Sequence, residues 1–218
     1  MTRIALIHAL AHSVAPINDA LAREWPQALR MNLLDDSLST DLAANGKGLD
    51  AAMHERFVRL AQYAVDCGSD GILFTCSAFG PCIDAVAQAQ APTPILKPNE
   101  AMVAQASSLG CRIGMIASFA PTLQTMPAEF PTGTELACEL VEDAMTALDG
   151  GDTARHDALV VAAAERLVNR GCAVIALAQF SMARARKVVA ERTGLPVLTT
   201  VDSAVSDLRR RLAYTFHP

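Results

Sequence analysis

The feature that most constrains this chain is an alternation of short apolar runs with helical segments, and it runs twice. Arg3-Ile4-Ala5-Leu6-Ile7 is echoed by Arg112-Ile113-Gly114-Met115-Ile116, Gly71–Thr75 by Ala173–Ala178, and Thr93-Pro94-Ile95-Leu96 by Leu195-Pro196-Val197-Leu198. The apolar runs are too short for helices and are bounded by glycine or polar residues, so they read as buried strands. Between them apolar residues recur at helical spacing, as at Met53, Phe57, Leu60, Ala61 and Ala64. Strand–helix alternation of this kind predicts parallel sheets covered by helices. Repetition at half the chain length predicts two similar lobes. The expected fold is therefore α/β, with two pseudo-symmetric Rossmann-like lobes. Their approximate bounds are 1–98 with 201–218 for the first and 99–200 for the second.

In finer detail, strands are expected over 4–10, 28–34, 71–76, 94–97, 112–116, 173–178 and 195–198. Helices are expected over 16–25, 49–65, 81–90, 100–109 and 157–169, with Ser13 and Asn99 as candidate caps. The polar stretch 41–47 reads as a loop, and Asp35-Asp36 as a turn rather than a metal site. Arg209-Arg210-Arg211 falls near the end of a last helix, where cations suit the dipole.

Composition narrows the function classes. Of the 218 residues 51% are hydrophobic, enough for a packed globular core. No uninterrupted apolar run reaches the roughly 18 residues that span a bilayer, and the N-terminus lacks the pattern of a secretory signal. No membrane association is expected. The net charge of −5, with both signs interspersed and only 5% aromatic residues, argues against a nucleic-acid surface. The six cysteines, at 67, 76, 82, 111, 138 and 172, form no C-x-x-C pair and have no histidine at zinc spacing. No metal site is expected, and reduced thiols in a cytoplasm are the default. Cys67, Cys111 and Cys172 flank glycines just before strands and read as packing residues. Cys82 lies close enough in sequence to approach Cys76.

Cys76 stands apart. The segment Phe74-Thr75-Cys76-Ser77-Ala78 places a thiol at the carboxyl end of a buried strand, before the Gly80-Pro81 break into a helix. In open α/β sheets ligands bind at that edge, and a helix start beside it offers N–H groups to an anion. Such a cysteine is either a proton carrier or nucleophile beside a carboxylate, or a small core residue.

With those residues in view, the chain resembles the aspartate/glutamate/hydantoin racemase superfamily, to which arylmalonate decarboxylase and maleate isomerase are similar in fold. The likeness extends over nearly the whole chain. It is most specific at Gly71-Ile72-Leu73-Phe74-Thr75-Cys76-Ser77, which looks like the first catalytic-cysteine motif, and includes Arg112-Ile113-Gly114-Met115-Ile116-Ala117-Ser118. The resemblance implies an enzyme without metal or organic cofactor, probing the carbon next to a carboxylate of a small acid from a cleft between the lobes. It also implies a homodimer. The family pattern has a second cysteine in the second lobe. Matching Gly68 to Gly171 and Ile72 to Ile175 puts Gln179 there instead. A neutral amide cannot exchange a proton near pH 7. Two-base racemisation needs a proton-carrying group on each face of the planar intermediate, so one thiol suits three chemistries. These are isomerisation with Cys76 as acid/base or nucleophile, decarboxylation with Cys76 as sole proton donor, and racemisation with His8 or His12 serving the other face. A catalytically silent small-acid-binding protein is the remaining alternative.

The other candidates surround that centre. His8, at the end of the first strand, is a second acid/base, a carboxylate donor or a structural residue. Ser13 and Ser77 are carboxylate donors or helix caps; Thr75 packs or donates. In the second lobe Ser118 and Thr122 are expected to bind the substrate carboxylate, with helix capping as the competing account. Gln179 offers its amide to a substrate oxygen, Phe180 walls an apolar pocket, and Ser181 is a weaker donor. Lys97 either attracts an acid or is solvated. His54, His156 and His217 are expected at the surface.

Overall fold

The computed structural model describes residues 1–215. The chain divides into two compact units, Met1–Pro98 with the chain from Ala204 onward, and Asn99–Ser203. The first unit runs β1 (Arg3–His8), α1 (Val14–Glu24), β2 (Leu29–Leu34), α2 (Ser37–Asn45), α3 (Ala51–Asp66), β3 (Gly71–Phe74), α4 (Gly80–Ala89) and β4 (Ile95–Leu96). The second runs α5 (Glu100–Ser108), β5 (Ile113–Ala117), α6 (Ala120–Thr125), β6 (Leu136–Leu140), α7 (Glu142–Asp149), α8 (Thr153–Asn169), β7 (Val174–Leu177), α9 (Arg186–Thr193) and β8 (Val197–Thr199). The last helix, α10 (Thr200–Thr215), begins in the second unit and continues into the first.

Each unit holds a four-stranded, wholly parallel sheet, in the order β2-β1-β3-β4 and β6-β5-β7-β8. The repetition extends to single hydrogen bonds just outside the strands. Asp70 N–H donates to the Arg3 carbonyl at 2.8 Å, and Ala173 N–H to that of Arg112 at 2.9 Å. At the opposite edge Thr75 N–H reaches the Ile7 carbonyl at 3.0 Å, and Ala178 N–H that of Ile116 at 2.9 Å. The central strands are fully buried, which is why they read as continuous apolar runs rather than alternating ones. In the second unit α7, α8 and α9 cover one face of the sheet, around Val160, Ala164, Leu167, Ile175 and Leu177. Met102, Val103 and Ala106 of α5, with Met126 and Phe130, cover the other.

Three expectations need correction. The stretch 41–47 is not all loop: α2 forms because Leu38 and Leu42, one helical turn apart, are both buried. Arg56 of α3 holds this segment through Asp35 at 2.8 Å and Asp41 at 2.6 Å. Strand β6 was not expected. It is an edge strand whose residue Glu139 is tied outward to Arg166 and Arg170, each at 3.0 Å, so it lacks the apolar run of the inner strands. His156 is fully buried rather than at the surface, because it shares the inner face of α8 with Val160 and Ala163; its Nδ1 meets Asp157 Oδ1 at 2.7 Å. His54 is half-buried on α3, and His217 lies outside the described residues. Among the described residues no helix is long and apolar enough to cross a membrane.

Gly114 tests how tightly the second sheet is packed. A Cβ there would lie 3.0 Å from Leu167 Cβ and Cδ1 and 3.1 Å from Ile175 Cδ1. Gly114→Ala is expected to lower unfolding free energy by about 1–3 kcal/mol through overpacking, measured by urea denaturation; an unchanged midpoint would show that α8 can retreat from the sheet.

Candidate active site

Cys76 is placed by the end of the β1–β3 ladder. Register pairs Ile7 with Phe74, and the bond from Thr75 N–H to the Ile7 carbonyl is the last one between the strands. The backbone is still extended at Cys76 (φ −118°, ψ 121°), then winds into a 3-10 turn, Ser77–Phe79, before α4. Phe57 of α3 clamps the segment from both sides of the thiol, with ring centroids 5.2 Å from Phe74 and 4.8 Å from Phe79. Cys76 is half-buried. Burial pushes the thiol up to about 11; hydrogen bonds from Ala78 N–H and the Ser39 side chain pull the other way. The resting group is a thiol.

The first unit carries several other candidates. His8 is fully buried, with Nδ1 2.8 Å from Thr75 Oγ1 and Nε2 2.9 Å from Asn32 Oδ1. Asn18 Nδ2 donates to both the Val14 carbonyl and Asn32 Oδ1, each at 2.8 Å, so Asn32 Oδ1 is an acceptor. That assigns the His8 proton to Nε2 and leaves Nδ1 to accept from the Thr75 hydroxyl, whose other acceptor is the Ile7 carbonyl at 3.3 Å. Burial lowers the His8 pKa, against the opposing effect of its hydrogen bond to Asn32. His8 therefore braces Thr75 as a neutral ring, and neither nitrogen is open to a substrate. Ser77 is buried in the 3-10 turn. Ser13 is buried and makes no side-chain capping bond to α1. His12 is half-buried in the turn before α1. Lys97 is not simply solvated: its Nζ lies 2.9 Å from Asp84 Oδ1. Cys82 is fully buried on α4 and pushed up to about 12, first by burial and then by the Asp50 carboxylate.

In the second unit Gln179 occupies the place that Cys76 holds in the first. It follows the last ladder bond of β5–β7, is extended (φ −141°, ψ 146°), and precedes the 3-10 turn Phe180–Ala185. Its Oε1 accepts the Ser118 N–H and, at 3.1 Å, the Ser118 hydroxyl. The groups of Ser118 expected to hold a carboxylate are thus engaged by Gln179, and the Gln179 amide is left to present its N–H donors. The Ser118 hydroxyl also approaches Met145 Sδ at 3.6 Å. Thr122 is fully buried on α6, with its N–H on the Phe119 carbonyl at 3.0 Å. Phe180 and Ser181 are buried, and the Ser181 hydroxyl has no hydrogen-bond partner among the described residues. Among those residues no group of three or more His, Cys, Asp or Glu side chains is placed to hold a metal ion.

Two functional contacts escaped the sequence. Ser39 lay in a stretch without periodicity, and only the Leu38/Leu42 pair signals its helix. Asn32 sits on edge strand β2, where nothing local marks it as the partner of His8.

A family model described as Asp/Glu/Hydantoin racemase matches residues 11–208. The chain belongs to this family. Glutamate racemase isoform RacE1 from Bacillus anthracis is similar in structure, with a TM-score of 0.80 at 12% identity over 99% of this chain and 83% of that one. The aspartate racemase of Picrophilus torridus superposes with a TM-score of 0.74 at 10% identity, covering 98% and 95% of the two chains. A doubly substituted arylmalonate decarboxylase in its liganded form gives a TM-score of 0.66 at 19% identity, covering 97% and 93%. At such identities the likeness is one of fold. No curated protein sequence matches the chain.

A thiol at about 11 has a measurable consequence. Only the thiolate alkylates, so Cys76 modification by iodoacetamide should rise about tenfold per pH unit and level off only near pH 11. Mass spectrometry of the Cys76 peptide reads this; a plateau below pH 9 would show an activated thiolate instead.

Proposed function

We propose that this protein is an enzyme, working without metal or organic cofactor, that delivers a proton to the carbon next to the carboxylate of a small acid. Cys76 is the donor. The observation that carries this reading is the unequal chemistry of two equivalent strand ends: a thiol at Cys76, and at Gln179 an amide whose oxygen is already bound by Ser118. Gln179 can donate hydrogen bonds but cannot take a proton. His8, neutral and bonded at both nitrogens, is not placed to replace it. A reaction that must abstract a proton is poorly served by a thiol held near 11. A reaction that makes its carbanion by losing carbon dioxide is well served.

The best match is decarboxylation of a malonate-like acid. Cleavage of the C–C bond leaves its electron pair on the α-carbon, delocalised into the remaining carboxylate as an enediolate. The Cys76 proton passes to that carbon from one face, and the thiolate recovers a proton from water. The second reading, racemisation or isomerisation, is favoured by the family model and by the glutamate and aspartate racemase folds. It requires an acceptor for the α-proton.

Turnover of substituted malonates in deuterated water separates the two. Decarboxylation predicts carbon dioxide release with one deuteron at the α-carbon in a single configuration. Cys76→Ala should stay folded by circular dichroism and lose about 10²–10⁴ in rate, the usual worth of a general acid. Exchange of the α-proton of an amino acid or hydantoin, without carbon dioxide release, would overturn the decarboxylase reading in favour of the racemase one. Gln179→Cys provides the complementary experiment. A thiol at the second strand end should add α-proton exchange that the parent lacks; a parent that already racemises at full enzymatic rate would sink the assignment of Gln179 as a proton-inert group.

A further inference from the structure

We propose that the second unit carries a binding site for a small zwitterion, an α-amino acid, at the edge of its sheet opposite to Gln179. The site is a cavity of about 330 Å³ lined by Ser107, Cys111, Arg112, Thr132, Thr134 and Glu135. Strand β5 begins beside it at Ile113 and ends just before Ser118. At about 3.3 Å per residue, the strand puts roughly 17 Å between the cavity and the Ser118–Gln179 pair. The two sites are distinct.

Two strands, a turn and a helix end build the walls. Ile113 and Leu136 are register partners, and Ile113 N–H donates to the Glu135 carbonyl at 2.9 Å. Arg112 and Glu135 therefore enter the sheet side by side on neighbouring strands. The rim is the turn before β6, where Thr134 gives its N–H, at 3.1 Å, and its hydroxyl, at 2.7 Å, to the Pro131 carbonyl. Gly133 in that turn has φ +89°, and no atom lies within 4 Å of where a Cβ would stand, so the rim is open. Ser107 comes from the last turn of α5.

Three polar groups of this cavity are unused. Among the described residues the Arg112 guanidinium and the Glu135 carboxylate form no hydrogen bond or ion pair, with each other or with any other side chain. By contrast, the arginines that reach edge strand β6, Arg166 and Arg170, are both taken by Glu139. The Ser107 hydroxyl is shut off from solvent and has no hydrogen-bond partner among the described residues, which costs free energy until one is supplied. One cation, one anion and one neutral hydroxyl around a single pocket are the complement of a molecule that carries both a carboxylate and an ammonium. The guanidinium fork takes the carboxylate through two parallel N–H bonds. Glu135 takes the ammonium, helped by the negative end of the α5 dipole. The ligand also gives the Ser107 hydroxyl the partner it lacks. A simple anion would be repelled by Glu135, and a simple amine by Arg112.

The test reads binding, so its result is independent of the reaction proposed for Cys76. The full chain is titrated calorimetrically with glycine, L-alanine and L-glutamate, and with N-acetylalanine and alaninamide, which each lack one of the two charges. At least one of the three amino acids should bind, and removing either ligand charge should weaken binding about tenfold or more, the worth of a hydrogen bond to a charged group. Arg112→Gln and Glu135→Gln should each weaken the amino acid by a similar factor, with circular dichroism as the control of fold. Should Arg112→Gln not fold, Arg112→Lys takes its place; it keeps the charge, loses the fork, and should still bind more weakly. Ser118→Ala, at the other edge of the sheet, should leave the affinity unchanged. No binding of any of the three, equal binding of N-acetylalanine, or parental affinity in Arg112→Gln or Glu135→Gln would overturn the proposal. Loss of binding in Ser118→Ala alone would place the amino acid at the candidate active site and overturn it as well.

Discussion

The last hydrogen bond of each central ladder is the constraint on which the candidate site depends. In the first unit it joins Thr75 N–H to the Ile7 carbonyl, in the second Ala178 N–H to the Ile116 carbonyl. Up to that bond the chain is fixed by strand pairing among fully buried neighbours. One residue later it is still extended but released from the ladder, and a 3-10 turn follows at once. That residue is Cys76 in one unit and Gln179 in the other. The fold therefore prepares two equivalent positions, each with its backbone immobilised on one side and turning on the other.

What occupies those positions sets the chemistry. This chain has a thiol at one of them and an amide at the other. The supporting contacts deepen the asymmetry. Gln179 is pinned through its oxygen by Ser118, which fixes it as a donor. Cys76 is held protonated by burial, against hydrogen bonding that pulls the other way. His8 and Thr75 complete a rigid wall rather than a second acid/base pair.

The immediate surroundings of the thiol are electrically neutral. Its acidity is set by burial, a backbone N–H and a hydroxyl, and that of His8 by burial and an amide. Arg56 is paired with Asp35 and Asp41, and Lys97 with Asp84. A cation beside the sulfur would favour the thiolate. Burial, with no such cation among the groups that act on it, keeps the sulfur protonated.

The sequence by itself determined the parallel α/β class, the doubling of the unit and the position of Cys76 and Gln179 at strand ends. These are legible because inner parallel strands are buried on both faces and must be written as unbroken apolar runs, closed by turn residues such as Gly68 and Gly171. The edge strands β2, β4 and β8 were legible too, but elements written largely in polar residues carry no such mark. Strand β6 contains Glu139, and α2 is polar but for Leu38 and Leu42, so neither announced itself. The tertiary structure alone decided which side chains meet. Ser39 reaches Ala9, Asn32 fixes the proton of His8, and Gln179 takes the N–H of Ser118, all across gaps in sequence that local periodicity cannot bridge. Periodicity records which face of an element is buried; hydrogen-bond partners are chosen by register and packing between elements, and those exist only once the sheet is assembled.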